Sequence, residues 1–318
     1  MSEEYLFDLN DVNVSNIATI SGKQSRLEEQ RILEIYELVS EVIVAALELR
    51  HFGMGICEIL TLLSESLELP ENCIHKNALS LNLPRLERFS SSLSALDKTV
   101  FAELFVEEMS RNSVEITAAD FLPVNDSPDT FVYVKNSLAD EAYDVFADAF
   151  TDPRVRYAPS FREAVRAVTD GEVTYCLLPL EETGGERLHS ASALIFRNDL
   201  KINCVTPVFG FDGTADMKYS LVSKRFTIPK IEKDDDVYLE IRIPTEGGLS
   251  LSELLYAAEY YGFLPYRVNT AVFDTAGDRE AYYSLVFKSS MGDFSELLVY
   301  LTLFAGSYIP VGIYKNLE

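Results

Sequence analysis

The stretch Val173–Gly185, VTYCLLPLEETGG, decides how the middle of this chain folds. β-prone and apolar residues run up to Pro179, which is expected to end the sheet ladder, and two carboxylates and the turn-forming Gly184-Gly185 follow. The pattern predicts a buried strand that delivers a loop. Helical patterns over Phe161–Thr169 and Glu186–Arg197 flank it, so we expect the loop at the carboxyl end of a strand in an α/β layer, where open sheets bind ligands. The alternative is an ordinary strand end with solvated glutamates.

Composition restricts the class of protein. With 318 residues, of which 47% are hydrophobic, the chain can form more than one core. A formal net charge of −24 disfavours nucleic acid and anionic membranes as partners, because both are polyanions. The acidic start MSEEYLFDLND and the lack of an apolar run of ~20 residues predict a cytoplasmic protein. The four cysteines form no CxxC pair and the three histidines are dispersed, so we expect no metal and no cofactor.

The first third of the chain has a helical pattern. Residues 1–23 are polar and without a period, which predicts a flexible leader. Residues 24–115 are predicted to be a helical domain, because apolar residues recur there at threes and fours. The predicted inward positions of its first helix are Leu33, Tyr36, Val39, Ile43, Ala46, Leu47 and Arg50. Further helices are predicted over Ile56–Leu67, Pro84–Ser92 and Asp97–Ser110, the last with Asp97 as N-cap.

Two further regions follow a segment, Ser113–Asp129, whose composition is typical of a linker. Strand and helix patterns alternate over residues 129–216, which predicts a mostly parallel sheet with helices on its faces. Residues 217–318 follow the order strand, helix, strand, strand, helix, strand, which predicts a ferredoxin-like layer. The predicted fold class is thus α/β and α+β multidomain: an N-terminal α-helical bundle, a central single α/β lobe and a C-terminal ferredoxin-like domain.

Three successive segments of the central region carry a resemblance to a known family. They follow one another in the order found in prephenate dehydratases. The three segments are YVKNSLADEAYDVF, SFREAVRAVTDGEVTYCLLPLEETGG and SASALIFRNDLKINCVTPV. The Pro-Ile-Glu-Asn-Ser run of that family corresponds to Pro179-Leu180-Glu181-Glu182-Thr183, and its Gly-Thr-Phe-Ser turn to Asn136-Ser137-Leu138-Ala139. The C-terminal region resembles the ACT domain fused to many of these enzymes. The resemblance implies a remnant catalytic site of Ser137, Glu181, Thr183 and Lys218.

Two departures from the family pattern bear on activity. The family's Thr-Arg-Phe triplet aligns with Met217-Lys218-Tyr219, and methionine cannot donate the proton that the threonine supplies, whereas lysine can hold a carboxylate. Only Phe209–Asp216 stands where the family carries a second lobe, so the usual cleft is not expected within one chain. These departures predict a catalytically degenerate, prephenate-dehydratase-like binding or regulatory protein of phenylalanine metabolism. The alternative is an active enzyme that converts prephenate to phenylpyruvate.

The ACT-like region predicts a ligand and a partner. Alignment with the effector motifs of phenylalanine-responsive ACT domains implies that a small carboxylate or amino acid is bound by Gly247, Gly248, Asn269 and Thr270. The predicted strands carry apolar residues on both faces, and two helices can cover only one of them. The other face or an open edge strand therefore predicts a homodimer, formed mainly through residues 217–310.

The helical domain resembles the chorismate mutases that often precede a dehydratase domain. If Arg50 is aligned with the second arginine of that family, the first falls on Leu33 and the catalytic lysine on Thr61. Two of the three cations that would hold chorismate are then missing. The helical domain is therefore predicted to be structural, and a bifunctional chorismate mutase/prephenate dehydratase is the remaining alternative.

Overall fold

The computed structural model describes residues 30–64, 93–124, 129–182, 185–210, 216–230, 235–246, 249–275, 278–289 and 294–317. The predicted leader at 1–23 and the predicted helix Pro84–Ser92 lie outside this range. The chain separates into two compact units, one of Met1–Met54 with Ser66–Glu115 and one of Gly55–Glu65 with Ile116–Glu318. Gly55–Glu65, which the sequence places in the helical domain at 24–115, therefore belongs to the second unit.

The described elements alternate between strand and helix from residue 130 to residue 208, and further strands and two helices follow. The helices α1 to α8 span residues 30–51, Ile56–Ser64, Ala95–Arg111, Ser137–Ala147, Phe161–Thr169, His189–Arg197, Leu251–Tyr260 and Ser295–Phe304. The strands β1 to β9 span Thr130–Tyr133, Arg154–Tyr157, Tyr175–Glu181, Lys201–Val208, Met217–Ser223, Val237–Pro244, Leu264–Thr275, Asp278–Ser289 and Ile309–Lys315. In the described part of the chain, no helix is both long enough and apolar enough to cross a bilayer.

The first unit contains α1 and α3, and the buried face of α1 differs from the predicted one. Its buried apolar residues are Ile35, Leu38, Val39, Val42, Ile43, Ala45, Ala46 and Leu49. Three predicted inward positions are among them, but Leu33 is 63% exposed, and Tyr36 and Arg50 are also exposed. Apolar residues occupy more than one side of this helix, so their period alone does not fix which side faces the core.

The start of α3 also differs from the prediction. Ser94 is the N-cap, because its side chain accepts from the N–H of Asp97 and the Asp97 carboxylate accepts from the N–H of Ser94. Asp97 is thus the third helical residue rather than the cap. The same carboxylate accepts hydrogen bonds from Nε and Nη2 of Arg31, at 3.3 and 3.2 Å, which ties α1 to α3.

The second unit is built on one nine-stranded sheet with the order β2-β1-β3-β5-β4-β9-β6-β8-β7. β1 runs parallel to β2 and β3, whereas β5 runs antiparallel to both of its neighbours, β3 and β4. β1, β2, β3 and β4 therefore all run in the same direction, as predicted for a mostly parallel sheet, and β5 is the antiparallel strand among them. This strand begins at residue 217, where the sequence places the C-terminal domain, yet it pairs on both sides with strands of the central lobe.

β3 continues beyond Pro179, where the sequence predicts its end. Pro179 lies opposite Tyr219 of β5, and after a register shift the ladder resumes with Glu181 opposite Lys218. Proline is tolerated at bulges and strand ends, where its missing N–H costs no ladder hydrogen bond. The extended ladder places Glu181 directly across from Lys218 on a neighbouring strand.

The last four strands form the predicted ferredoxin-like layer. They lie in the order β9-β6-β8-β7, all antiparallel, and α7 and α8 complete the βαββαβ order. α8 is buried on nearly all sides, because α2 packs against it. The predicted fold class, mixed α/β and α+β, is confirmed for the described residues.

The other face of this layer is covered by the same chain. The Phe196 ring of α6 contacts Tyr282 of β8 edge-on, with ring centroids 5.5 Å apart. Leu178 and Leu180 of β3 share a core with Tyr238 and Tyr314 of the layer. The sequence argument that this face needs a partner chain is therefore wrong. The exposed part of the layer is β7, which is the last strand in the sheet order.

The two halves of the sheet join where β4 and β9 pair at Ile202 and Gly312. A Cβ at Gly312 would lie 2.8 Å from Cδ1 of Tyr314 and 2.9 Å from Cβ of Ile202. Contacts this short do not occur between real side chains, so the junction requires a residue without a Cβ.

We expect Gly312→Ala to lower the free energy of unfolding by about 1–3 kcal/mol, because overpacking forces neighbouring strands apart. Chemical denaturation followed by circular dichroism measures the change. Gly55→Ala is the matched control, since its Cβ would meet Glu58 Oε2 at an ordinary 3.5 Å. Equal stability of the Gly312→Ala variant and the parent would contradict the close approach.

Candidate functional site

The chain folds back on itself directly after β3. The N–H of Leu188 donates to the carbonyl of Leu180 at 3.0 Å, and Glu181 and Arg187 form an antiparallel bridge. Gly185 in this turn has a φ of 80°, in the left-handed region that favours glycine. The turn therefore places the Arg187 side chain next to that of Glu181.

Glu181 is the centre of a set of ion pairs. Its Oε1 accepts from Arg267 Nη1 at 2.6 Å and lies 3.5 Å from Arg187 Nε, while its Oε2 lies 3.6 Å from Lys218 Nζ. Arg267 also donates through Nη2 to the carbonyl of Gly185 at 2.9 Å. Glu181 is only 6% exposed, so these cations occupy the surroundings that a substrate would need to reach.

A second carboxylate extends the set. Glu240 of β6 is fully buried and accepts from Arg187 through both oxygens, Oε1 from Nη1 at 2.5 Å and Oε2 from Nη2 at 2.6 Å. The hydroxyl of Tyr314 donates to the same Oε2 at 3.3 Å. Paired contacts of this kind are the strongest that arginine makes with carboxylates. We call Glu181, Arg187, Lys218, Glu240 and Arg267 the Glu181 cluster.

Within the Glu181 cluster, the pKa values of Glu181 and Arg187 are both shifted in the direction that favours the charged form. Burial raises the pKa of Glu181, but the hydrogen bond from Arg267 and the charges of Lys218, Arg267 and Arg187 outweigh burial, so its pKa lies below the ordinary value of 4.5. Burial lowers the pKa of Arg187, and the carboxylate of Glu240 more than restores it, so the net pKa is raised. With three cations against two carboxylates, the cluster carries a net positive charge.

The structure brings two of the four predicted catalytic residues into contact, Glu181 and Lys218. Ser137 is the exposed first residue of α4 and lies at the same edge of the sheet, because it follows β1, the parallel neighbour of β3. Its neighbour Asn136 accepts a hydrogen bond from the hydroxyl of Tyr219 at 3.4 Å. Thr183 lies outside the described residues.

The predicted effector residues are not assembled into a described site. Asn269 and Thr270 lie in the middle of β7, both exposed, opposite Ser284 and Tyr283 of β8. Gly247 and Gly248 lie outside the described residues.

Sequence reasoning missed Arg187, Arg267 and Glu240. A signal existed for Glu240, because it stands between apolar residues in the middle of a strand, where a charge must be either exposed or paired. Arg267 gave no such signal, since it is 86 residues from Glu181 in the chain.

Phe209–Asp216 connects β4 to β5. Val208 pairs with Met217, so the two strands that flank Phe209–Asp216 are direct neighbours in the sheet. Met217 is half-buried and packs against the core beneath α4, which also contains Tyr219. Within the described ranges, no group of three or more His, Cys, Asp or Glu side chains is placed to hold a metal ion.

Comparisons with known proteins give only distant likenesses. No protein-family model and no curated protein matches the chain. Among solved structures, prephenate dehydratase from Streptococcus mutans has a TM-score of 0.45 and 14% identity, covering 60% of this chain and 100% of its own. The quorum-quenching acylase GqqA has a TM-score of 0.43 and 15% identity, covering 59% and 96%. Prephenate dehydratase from Arthrobacter aurescens in complex with L-Phe has a TM-score of 0.42 and 11% identity, covering 58% and 89%. Function is therefore argued from the geometry of the chain itself.

We expect Glu181→Gln to lower the free energy of unfolding at neutral pH by about 3 kcal/mol, because it removes a buried carboxylate that pairs with three partly buried cations. Urea denaturation measures the change. Glu182 is the exposed neighbour and provides the control. Glu182→Gln should change the free energy of unfolding by no more than about 0.5 kcal/mol. Equal effects of the two substitutions would contradict the ion pairs.

The stabilisation by Glu181 should depend on pH with a defined sign. Because the folded-state pKa lies below the ordinary value of 4.5, the stabilisation is complete above 4.5 and is lost as pH falls through the lowered value. The stability difference between the parent and Glu181→Gln should therefore stay constant from about pH 8 to 6 and shrink below about pH 4.5. A difference that grows on acidification would show that the pKa is shifted the other way.

Proposed function

We propose that the chain is a non-catalytic relative of the prephenate dehydratases, acting by binding or regulation in phenylalanine metabolism. The observation that carries the proposal is that the carboxylate of Glu181, in the Pro-Leu-Glu-Glu-Thr run, is buried and already bound by cations of the same chain. Its Oε1 is 2.6 Å from Arg267 and the residue is 6% exposed. A carboxylate that takes part in catalysis must reach its substrate, whereas this one is engaged by cations of the same chain.

The residues beside Glu181 support the same proposal. Met217 stands where the family has the threonine that serves dehydration, and its thioether has no proton to donate. Lys218, which could hold a substrate carboxylate, has its Nζ 3.6 Å from the carboxylate of Glu181. The remaining cation is therefore partly neutralised.

The hairpin between β4 and β5 supports it further. In the family, substrate lies in a cleft between two lobes, and the second lobe would have to leave and re-enter the sheet between Val208 and Met217. These residues pair directly, and only the eight residues Phe209–Asp216 connect them. Eight residues are too few to form the second lobe that closes the family's cleft against water.

We expect the purified chain to form no phenylpyruvate from prephenate above background, measured by the absorbance of the product. The dehydratase from Streptococcus mutans serves as positive control. A turnover of about 1 per second, the lower end of ordinary enzymes, would overturn the proposal in favour of an active dehydratase.

We also propose that the chain forms a homodimer through its C-terminal layer. β7 is the last strand in the sheet order, with its described pairing on one side only, to β8. Its large exposed apolar residues are Leu264, Tyr266, Val268 and Val272. A second copy can pair β7 with β7 in antiparallel fashion around a two-fold axis, which extends the sheet and covers these residues.

Light scattering on the full chain should give the mass of a dimer, and Val268→Lys should shift the population towards monomer, because a charge in mid-strand opposes edge pairing. Val155→Lys is the control, since Val155 is 39% exposed on β2, the strand at the opposite edge of the sheet. A monomeric parent, or dissociation by the Val155 variant alone, would refute assembly through β7.

A further inference from the structure

The second unit contains a cavity outside the Glu181 cluster. Its volume is about 520 Å³, and it lies between α6, the start of β4 and the strands β6, β8 and β9. None of the residues that sequence reasoning assigned to a site lines it. Its size is in the range of pockets for small organic ligands.

The walls of the cavity are mainly apolar. Phe196 and Tyr282 form an edge-on aromatic pair on one side, with ring centroids 5.5 Å apart. The other apolar lining residues are Ile195, Leu200, Ile309, Pro310 and Val311. Such walls favour a ligand with an aryl or branched aliphatic body over a sugar or a phosphate ester, which would need many more polar partners.

Arg242 supplies one of two buried charges in the cavity lining, the other being Lys201, which is 5% exposed. Arg242 is 3% exposed, and its guanidinium carbon lies 5.1 Å from the centroid of the Phe196 ring. It follows Glu240 by two residues, so both side chains lie on the same face of β6. Burial lowers the pKa of Arg242, and the nearby Arg187 lowers it further against the opposing effect of Glu240, so the net pKa is lowered. An added anion would favour the charged guanidinium.

The carboxylates of the cavity lie towards solvent and have partners. The Asp199 side chain is 70% exposed and accepts from Lys201 Nζ at 2.6 Å. Lys201 Nζ also donates to the carbonyl of Pro310 at 3.1 Å. Glu280 is exposed and accepts from the hydroxyl of Tyr282. The cavity lining thus combines two buried cations, Arg242 and Lys201, with carboxylates that are exposed to solvent.

We propose that this cavity binds a small carboxylic acid with an aryl or branched apolar body, its carboxylate facing Arg242 and its body packed between Phe196, Tyr282 and Pro310. A planar guanidinium can bind a carboxylate through two parallel hydrogen bonds, which gives both affinity and orientation. The inference does not rest on the loss of dehydratase chemistry, because none of the residues of the Glu181 cluster lines the cavity.

The test uses phenylacetate as the probe, with 2-phenylethanol and phenethylamine as neutral and cationic analogues of similar size. Isothermal titration of the full chain should show phenylacetate binding at least about tenfold more tightly than either analogue. Absence of phenylacetate binding up to about 10 mM, or equal binding of the three compounds, would overturn the proposal.

Two variants test the position of the site. Arg242→Gln should weaken phenylacetate binding at least about tenfold, whereas Arg156→Gln, at an exposed arginine paired with Glu172, should leave it unchanged. Ile309 lies directly across from Arg242 on β9, so Ile309→Trp should fill the cavity and abolish binding without removing a charge. Circular dichroism checks the fold of each variant, and if Arg242→Gln does not fold, the Ile309 variant decides. Undiminished binding to a folded variant of either kind would refute the site.

A fluorescence measurement locates the ligand independently. The chain contains no tryptophan, so Phe196→Trp places a single indole in the cavity wall. Saturating phenylacetate should change the emission of this variant. Binding heat without an emission change would mean that phenylacetate binds elsewhere and would overturn the assignment. Prephenate turnover, measured on the same samples, tests the non-catalytic function separately, since neither result determines the other.

Discussion

The carboxylate of Glu240 is fully buried in the middle of a sheet, and the second unit depends on its neutralisation. An unpaired charge in this position would cost several kcal/mol, so a cation must reach it. That cation is Arg187, which arrives from the turn after β3 and binds both carboxylate oxygens. The pair fixes the turn on the ferredoxin-like layer, and with it Glu181, whose own carboxylate then lies among three cations. Breaking this pair would therefore disturb both the site and the packing of α6.

The same arrangement surrounds Glu181 with cations and leaves a cavity elsewhere in the second unit. Because the turn after β3 lies against the layer, Arg267 of β7 can reach Glu181 and occupy its surroundings. α6 follows the turn directly and covers the second face of the layer, where Phe196 meets Tyr282. The space left between this helix and the layer is the cavity lined by Arg242. This geometry supports our proposal of a binding role rather than dehydration at Glu181.

Local sequence patterns predicted where helices and strands occur better than they predicted what each helix or strand packs against. The bounds of α5, Phe161–Thr169, agree with the sequence prediction, because its apolar residues have a single helical period and Ser160 caps it. Pro179 did not end β3. Proline has no N–H to donate to a neighbouring strand, and whether that loss interrupts the ladder depends on how the neighbouring strand pairs at that position. The inward face of α1 was mispredicted because apolar residues lie on more than one side of that helix. In each error, the deciding fact was a neighbour that the local sequence does not specify.

From residue 130 onward, the sequence by itself determined the order of helices and strands except for β5, together with the βαββαβ layer and the position of Glu181 and Ser137 at the carboxyl ends of parallel neighbours. These follow from hydrophobic period and chain connectivity, which are local properties. Only the tertiary structure decided that β5 enters between β3 and β4, that Gly312 joins the two halves of the sheet, and that Arg187 and Arg267 surround Glu181. Arg187 and Glu240 are 53 residues apart and Arg267 and Glu181 are 86 apart. Charges at such separations meet only after the strand order is set, and no local period encodes that order.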